Sequence, residues 1–234
     1  MKPSERILVA IDTTDVDRAQ ALAQALAGHV GGIKLGKEFF TANGPQGVRT
    51  VAGGEQPLFL DLKFHDIPNT VAGAIRAALA LDPKILNVHA AGGRAMMQAA
   101  AEAAGEAGAN RPLLIAVTVL TSLGDEDLAE IGVNSSASDQ VVRLARLAQN
   151  CGLDGVVCSA HEISAIRDAC GADFKLVVPG IRPAWAAKGD QKRIMTPGEA
   201  VALGADYLVI GRPITGADDP IAAAKRIEKE LDGA

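Results

Sequence analysis

The chain has 234 residues, of which 48% are hydrophobic, and a formal net charge of −5. It can bury one large core, and an acidic balance without a Lys/Arg block argues against a nucleic acid partner. No apolar run could span a bilayer and the first residues lack the apolar core of a signal peptide, so we expect a cytoplasmic protein without a membrane partner. Cys151, Cys158 and Cys170 lack CxxC spacing and indicate neither a disulfide framework nor a zinc site.

Apolar strands and helical segments alternate along the whole chain without a linker. We predict eight strands, at residues 7–11, 32–36, 57–60, 84–89, 113–119, 155–158, 175–178 and 207–210. Helical segments follow them. The second of these extends through residues 47–51, and the others lie at residues 15–27, 68–80, 95–107, 138–149, 161–169, 197–203 and 220–231. Eight such units predict a closed (β/α)8 TIM barrel, an α/β fold forming a single domain over residues 1–234. A doubly wound sheet of the same content is the alternative.

The third strand leads directly into a dense group of charged residues. Asp61 and Lys63 follow the apolar run at 57–60, and Asp66 comes three residues later. Residues two apart on a strand point to the same face, so Asp61 and Lys63 should project together. Ionised groups at the end of an apolar strand are costly unless they are paired or useful, which leaves open a structural salt bridge or a functional pair.

A barrel brings the carboxyl ends of all its strands to one mouth. Asp12 ends the first strand and Lys34 belongs to the second, so both should lie near Asp61 and Lys63, because neighbouring strands are about 4.8 Å apart. We therefore predict one cluster of alternating charge at this mouth. Such a cluster favours function over a single stray ion pair.

A second group at the same mouth has the composition of a phosphate site. Gly211 and Arg212 follow the eighth strand, where barrels of this type commonly bind phosphate. A glycine turn with a surface arginine is the alternative for that pair. Residues 179–193, which include Arg182 and Gln191, are long and polar for a connection, and we interpret them as a lid that closes on a phosphate monoester.

Other signals are weaker. No GxGxxG follows a strand, and residues 32–37 are one residue short of a phosphate loop and lack its Ser/Thr. His65 and His89 should lie near the mouth as packing or hydrogen-bonding residues. Because no HxH or HxxxH pattern occurs, we expect no metal site.

Four segments resemble the orotidine 5′-phosphate decarboxylase family in its short, monofunctional bacterial form: residues 61–70 (DLKFHDIPNT), 178–183 (VPGIRP), 189–191 (GDQ) and 210–215 (IGRPIT). The likeness extends over nearly the whole chain. Its DxKxxD core is shared with sugar-phosphate lyases and synthases that use magnesium. The IPNT sequence that follows, together with the PGIRP loop and Gln191, selects the orotidylate branch.

The resemblance implies decarboxylation of orotidine 5′-phosphate to UMP and CO2 in pyrimidine biosynthesis, without a cofactor. Lys63 would protonate C6, Asp61 would lie beside the leaving carboxylate, and Lys34 and Asp66 would complete the charged chain. A homodimer is also implied, with Asp66 and Thr70 reaching into the partner's site. The other implied substrate-binding residues are Asp12, Ile67, Thr121, Ser122, Pro179, Arg182, Gln191, Gly211 and Arg212. A magnesium-dependent sugar-phosphate lyase or synthase and a catalytically silent nucleotide-binding barrel remain open alternatives.

Overall fold

The computed structural model describes residues 1–54, 56–186 and 195–232. Within these residues, eight parallel strands close into a barrel in chain order. The strands are β1 (Ile7–Ala10), β2 (Gly32–Gly36), β3 (Leu58–Phe64), β4 (Ile85–His89), β5 (Leu113–Val117), β6 (Gly155–Val157), β7 (Lys175–Val178) and β8 (Tyr207–Ile210). The helices are α1 (Val16–Leu26), α2 (Lys37–Ala52), α3 (Pro68–Leu79), α4 (Gly93–Gly105), α5 (Asp125–Glu130), α6 (Ala137–Asn150), α7 (Ile163–Cys170), α8 (Pro197–Ala202), α9 (Arg212–Thr215) and α10 (Pro220–Leu231).

The last strand pairs with the first, and this pairing closes the sheet. Val9 of β1 lies opposite Ile210 of β8 in a parallel register. The predicted (β/α)8 barrel is therefore confirmed, and a doubly wound sheet is excluded because such a sheet stays open. The short helices α5 and α9 are absent from the sequence-based prediction, and the four residues of α9 are too few to show a helical period.

Several helices begin where the sequence supplies a cap. Asp15, Ser136 and Asp219 each accept a hydrogen bond from the backbone N–H three residues later, over 2.9–3.1 Å. Pro68 opens α3 at a first-turn position, where the missing N–H costs nothing. Among the described helices, none has both the length and the apolar character that crossing a lipid bilayer requires.

Side chains of the strands divide between two layers of core. The layer inside the barrel consists of Leu8, Ala10, Phe59, Ile85, Ile115, Val177 and Val209. The outer layer fills the space between the sheet and the helices and includes Leu86 and Val88 of β4. Because successive residues of a strand point to opposite faces, Asn87 and His89 share the inward face of β4 with Ile85. The barrel interior is thus apolar at its centre and polar towards the carboxyl ends of the strands.

Gly155 provides a test of the barrel's closure between β6 and β7, where it lies opposite Lys175. A Cβ at Gly155 would collide with the backbone carbonyl of Lys175, which cannot move without disturbing the strand pairing. We expect Gly155→Ala to lower the free energy of unfolding by about 1–3 kcal/mol, measured by urea unfolding. The control is Gly105→Ala, where a Cβ would meet nothing within 4 Å, and it should leave stability unchanged or slightly raised. Equal stability of both variants would contradict this packing.

Candidate active site

β3 carries its charged residues into the mouth through an irregularity in its pairing with β4. The ladder pairs Leu60 with Leu86 and resumes only at Phe64, so three residues of β3 lie opposite the single residue Asn87 of β4. Lys63, inside this bulge, has a φ of 52°, which non-glycine residues rarely adopt. The strand therefore extends four residues beyond its apolar run, and the bulge sets the direction of the lysine.

The structure brings Asp12, Lys34, Asp61 and Lys63 together at this end of the barrel. Lys63 Nζ lies 2.5 Å from Asp61 Oδ1, and Lys34 Nζ lies 3.5 Å from Asp61 Oδ2. Lys34 Nζ also lies 3.2 Å from Asp12 Oδ1. Lys34 and Asp61 are only 7% and 8% exposed, so water screens their attraction weakly. The Asp61 carboxylate is thus shared between two ammonium groups, one at each oxygen.

The charge of Asp61 is maintained by these neighbours. Burial alone would raise the pKa of its carboxyl group, because a charged group loses hydration. The nearby charges of Lys34 and Lys63, together with hydrogen bonds from Lys63 and Asn87, outweigh burial and lower the pKa below its ordinary value. Asp61 is therefore a carboxylate at neutral pH.

Asn87 is part of this site but absent from the sequence-based prediction of it. Its side chain is fully buried, and Nδ2 donates to Asp61 Oδ1 over 2.7 Å. Its Oδ1 accepts from the backbone N–H of Lys63, also over 2.7 Å. The signal in the sequence is one amide inside the apolar strand Ile85–His89, since a buried polar side chain needs hydrogen-bond partners.

Two cavities meet above the cluster. The first has a volume of about 220 Å³ and is lined by Lys34, Phe59, Asp61, Lys63, Val117, Val119, Leu120, Thr121, Val157, Cys158, Pro179 and Val209. The second has a volume of about 200 Å³ and is lined by Ala10, Asp12, Lys34, Pro179, Gly180, Ile181, Arg182, Val209, Gly211 and Arg212. Three residues line both, so the cavities form one mouth. One half is largely apolar with the lysine–aspartate cluster at its wall, and the other half carries two arginines.

The segment after β7 forms part of the wall of this mouth. Arg182 is 7% exposed, and its backbone N–H donates to the carbonyl oxygen of Met195 over 3.0 Å. The guanidinium carbon of Arg226, on α10, lies 4.5 Å from the centre of the Trp185 ring. Gln191 and the second half of the predicted lid at 179–193 lie outside the described residues.

Four of the residues implied by the resemblance lie outside both cavities in the single chain. Asp66, Ile67 and Thr70 are exposed on the surface at the start of α3, and Ile67 is 67% exposed. Ser122 is exposed as well, although its neighbour Thr121 lines the first cavity. A single chain therefore does not bring Asp66 or Thr70 into the mouth.

Two histidines flank the cluster. The rings of His65 and His89 lie 5.6 Å apart between centroids. Burial, followed by the electrostatic effects of His65, Lys37 and Lys63, lowers the pKa of His89 to about 4. His89 is therefore neutral at neutral pH and adds no charge beside Lys63. Among the side chains that the structure describes, no three His, Cys, Asp or Glu residues are grouped so as to hold a metal ion.

Comparison with known proteins gives a consistent result. The model of the "Orotidine 5'-phosphate decarboxylase / HUMPS family" matches residues 5–227. An orotidine 5′-phosphate decarboxylase of Rhodospirillum rubrum is 60% identical over 232 residues, covering 97% of this chain and 94% of the relative. One of Paramagnetospirillum magneticum is 56% identical over 229 residues, covering 96% and 97%.

Solved structures agree with this result. The crystal structure of orotidine 5′-phosphate decarboxylase from Lactobacillus acidophilus matches with a TM-score of 0.86 and 36% identity, covering 97% of this chain and 98% of that one. A second, of an uncharacterized conserved protein from Geobacillus kaustophilus, matches with a TM-score of 0.85 and 38% identity, covering 96% and 99%. The chain belongs to the orotidine 5′-phosphate decarboxylase / HUMPS family.

Proposed function

We propose that this chain converts orotidine 5′-phosphate to UMP and CO2 in pyrimidine biosynthesis, with Lys63 protonating C6 and without a cofactor. The observation that carries the proposal is the buried Asp61 carboxylate, held between two lysines beside a cavity that carries two arginines. The relatives' names support the same carboxy-lyase activity. We place the enzyme in the cytoplasm, whose reducing conditions suit three cysteines that are all free.

The reaction needs a fixed cation and a proton donor at one carbon atom. When the bond between C6 and the carboxylate breaks, its electron pair stays on C6, where the pyrimidine ring cannot easily delocalise it. The ammonium group of Lys63 stabilises that charge and then transfers a proton to C6. Asp61, 2.5 Å away, keeps the ammonium group aimed into the cavity. Lys63 regains its proton from water after each turnover.

Asp61 also acts on the substrate before the bond breaks. Because the lowered pKa keeps it ionised, its charge repels the substrate's carboxylate, and the departure of CO2 relieves this repulsion. Lys34 links Asp61 to Asp12 and holds both carboxylates in place. The side chain of Asp12 remains 60% exposed, so it can accept hydrogen bonds from the ribose hydroxyls.

The second cavity suits the phosphate of the substrate. The guanidinium groups of Arg182 and Arg212 can each bind two phosphate oxygens at once, and the backbone N–H of Gly211 can donate a further hydrogen bond. In the first cavity, Thr121 and apolar strand ends suit the pyrimidine, with Ser122 beside them. We further propose that residues 179–193, with Pro179 at one end and Gln191 near the other, close over the bound nucleotide. Phosphate binding would supply the energy for this closure.

A homodimer would complete the site. Asp66 and Thr70 are exposed at the start of α3, and Ile67 between them presents an apolar side chain to solvent. Because all three residues are exposed, a second copy of the chain can contact them. In the proposed dimer, Asp66 and Thr70 enter the partner's mouth, where Asp66 extends the charged cluster and Ile67 contacts the substrate.

Replacement of Lys63 tests its proposed role. We expect Lys63→Ala to lower kcat for orotidine 5′-phosphate at least about 10³-fold, because both the cation and the proton donor are lost. Turnover is followed by the loss of the substrate's ultraviolet absorbance, and UMP binding should stay measurable by calorimetry. The control is Lys84→Ala, whose side chain is 55% exposed and pairs with Asp82, and its kcat should match the wild type. A fully active Lys63→Ala protein would refute the assigned role.

The same assay separates the other two functions. Treatment of the wild-type protein with EDTA should leave turnover of orotidine 5′-phosphate unchanged. If EDTA abolishes activity, a magnesium-dependent sugar-phosphate lyase or synthase is favoured instead. If folded wild-type protein binds UMP but consumes no orotidine 5′-phosphate, the chain is a nucleotide-binding barrel without this activity.

Mixing two inactive variants tests the shared site. Lys63→Ala and Asp66→Asn homodimers should each be nearly inactive. After they are unfolded and refolded together, half of the dimers are mixed, and each mixed dimer has one intact site. We expect about a quarter of the wild-type activity to return. Recovery of no activity, with mixed dimers demonstrated by native mass spectrometry, would show that Asp66 does not act across the interface.

The single tryptophan tests closure of the lid. Trp185 lies within the proposed lid, against Arg226 of α10, so ordering of this segment should change its surroundings. We expect saturating UMP to change Trp185 fluorescence, and uridine, which lacks the phosphate, to change it much less. A Trp185→Phe protein gives the background signal. No change with saturating UMP would contradict closure.

A further inference from the structure

We infer that Asn87 is a positioning residue, whose carboxamide holds the backbone of Lys63 and the carboxylate of Asp61 in the arrangement that aims the lysine at its target. The inference rests on the proposed decarboxylase function. Asn87 itself lines neither cavity and acts through its two neighbours on β3.

The two hydrogen bonds of Asn87 admit only one orientation of its amide. The carbonyl oxygen accepts from the Lys63 backbone N–H and the NH2 group donates to Asp61 Oδ1, each over 2.7 Å. A reversed amide would place donor against donor and oxygen against carboxylate. Because the side chain is fully buried, no water replaces either partner. The planar carboxamide of Asn87 on β4 therefore fixes the Lys63 N–H and the Asp61 carboxylate of β3 relative to each other.

The bond to Lys63 lies within the bulge of β3. Pairing between the two strands is interrupted from Leu60 to Phe64, and in this gap the Lys63 N–H is bound by a side chain of the facing strand. Lys63 holds a φ of 52°, which is unfavourable for a residue with a Cβ. The hydrogen bond from its own N–H to Asn87 stabilises this conformation, and the conformation determines where the lysine side chain begins.

The bond to Asp61 fixes the rotation of its carboxylate. Oδ1 accepts from both Lys63 Nζ and Asn87 Nδ2, which leaves Oδ2 facing Lys34 Nζ. Without Asn87, the carboxylate could turn and the lysine could follow it. Displacement of a reacting group by about 1 Å can reduce a rate about 10²-fold, so loss of this amide should affect turnover more than binding.

The residue type at position 87 is specific for this task. Alanine supplies neither hydrogen bond. Aspartate, of nearly equal size, still accepts from the Lys63 N–H but places a second carboxylate against Asp61. A protonated aspartic acid could again donate to Asp61, so Asn87→Asp should regain function as the pH falls. The charged and titratable groups around this position are Lys34 from β2, Asp61 and Lys63 from β3, and His89 from β4.

The test measures kcat and UMP affinity separately. We expect Asn87→Ala to lower kcat about 10–100-fold and to change the Kd for UMP less than about 3-fold. At neutral pH, the kcat of Asn87→Asp should fall at least as far below the wild-type value as that of Asn87→Ala. As the pH is lowered, the kcat of Asn87→Asp relative to wild type should rise. This change in pH profile would not follow from a loss of stability alone.

A matched control isolates the effect of stability. Asp154 Oδ2 accepts from the backbone N–H of Leu114 over 2.7 Å, the same kind of contact between neighbouring strands, at the opposite end of the barrel. Asp154→Ala should lower Tm without changing kcat per folded molecule. If Asn87→Ala does not fold, the nearly isosteric Asn87→Asp provides the comparison.

Two outcomes must be distinguished. Suppose that the wild-type protein turns over orotidine 5′-phosphate. If Asn87→Ala then keeps a kcat within about 3-fold of the wild-type value, the positioning role is wrong while the proposed function stands. Asn87→Asp takes the place of Asn87→Ala in this comparison if the alanine variant does not fold. The role is equally overturned if the pH profile of Asn87→Asp follows that of the wild type. If the wild-type protein shows no turnover, the proposed function itself fails.

Discussion

The Asp61 carboxylate lies between the ammonium groups of Lys63 and Lys34, and the rest of the site depends on this interaction. A buried carboxylate is costly alone, and a buried lysine is costly alone, but each offsets the other's loss of hydration. The arrangement leaves two cations near a cavity large enough for part of a nucleotide. It also keeps a negative charge where a second carboxylate would be repelled. In the proposed mechanism, substrate binding, repulsion of its carboxylate and proton delivery therefore share one set of residues.

The barrel allows such a cluster because consecutive strands are neighbours in space. Lys34 lies on β2, Asp61 and Lys63 on β3, and Asn87 on β4, while Asp12 follows β1. Each strand thus contributes at its carboxyl end, and no long connection is needed to bring the groups together. The half of the mouth that carries the two arginines lies across β1 from the cluster, where β7 and β8 end. Closure of the sheet between β8 and β1 is what joins the two halves.

The fold and the membership of the cluster could be predicted from the sequence, since they follow from the order of strands and from the rule that strand ends converge. The bulge at Lys63 could not, because the pairing of β3 with β4 depends on residues more than 20 positions apart in the chain. The sequence does not predict the contacts of Asn87 for the same reason: its partners lie on another strand, and one amide in an apolar run carries no spacing signal. The proposed roles of Asp66 and Thr70 rest only on the family resemblance, since exposure in one chain does not indicate a chemical role.

The most direct measurement is a crystal structure of the protein with UMP bound. We expect the pyrimidine in the first cavity with C6 facing Lys63 Nζ at about 3 Å, and the phosphate between Arg182 and Arg212 in the second. We also expect Asp66 of a second copy beside the same cluster. A nucleotide bound in the reverse direction, with its phosphate on Lys63, would contradict the central claim that Lys63 and Asp61 act on C6.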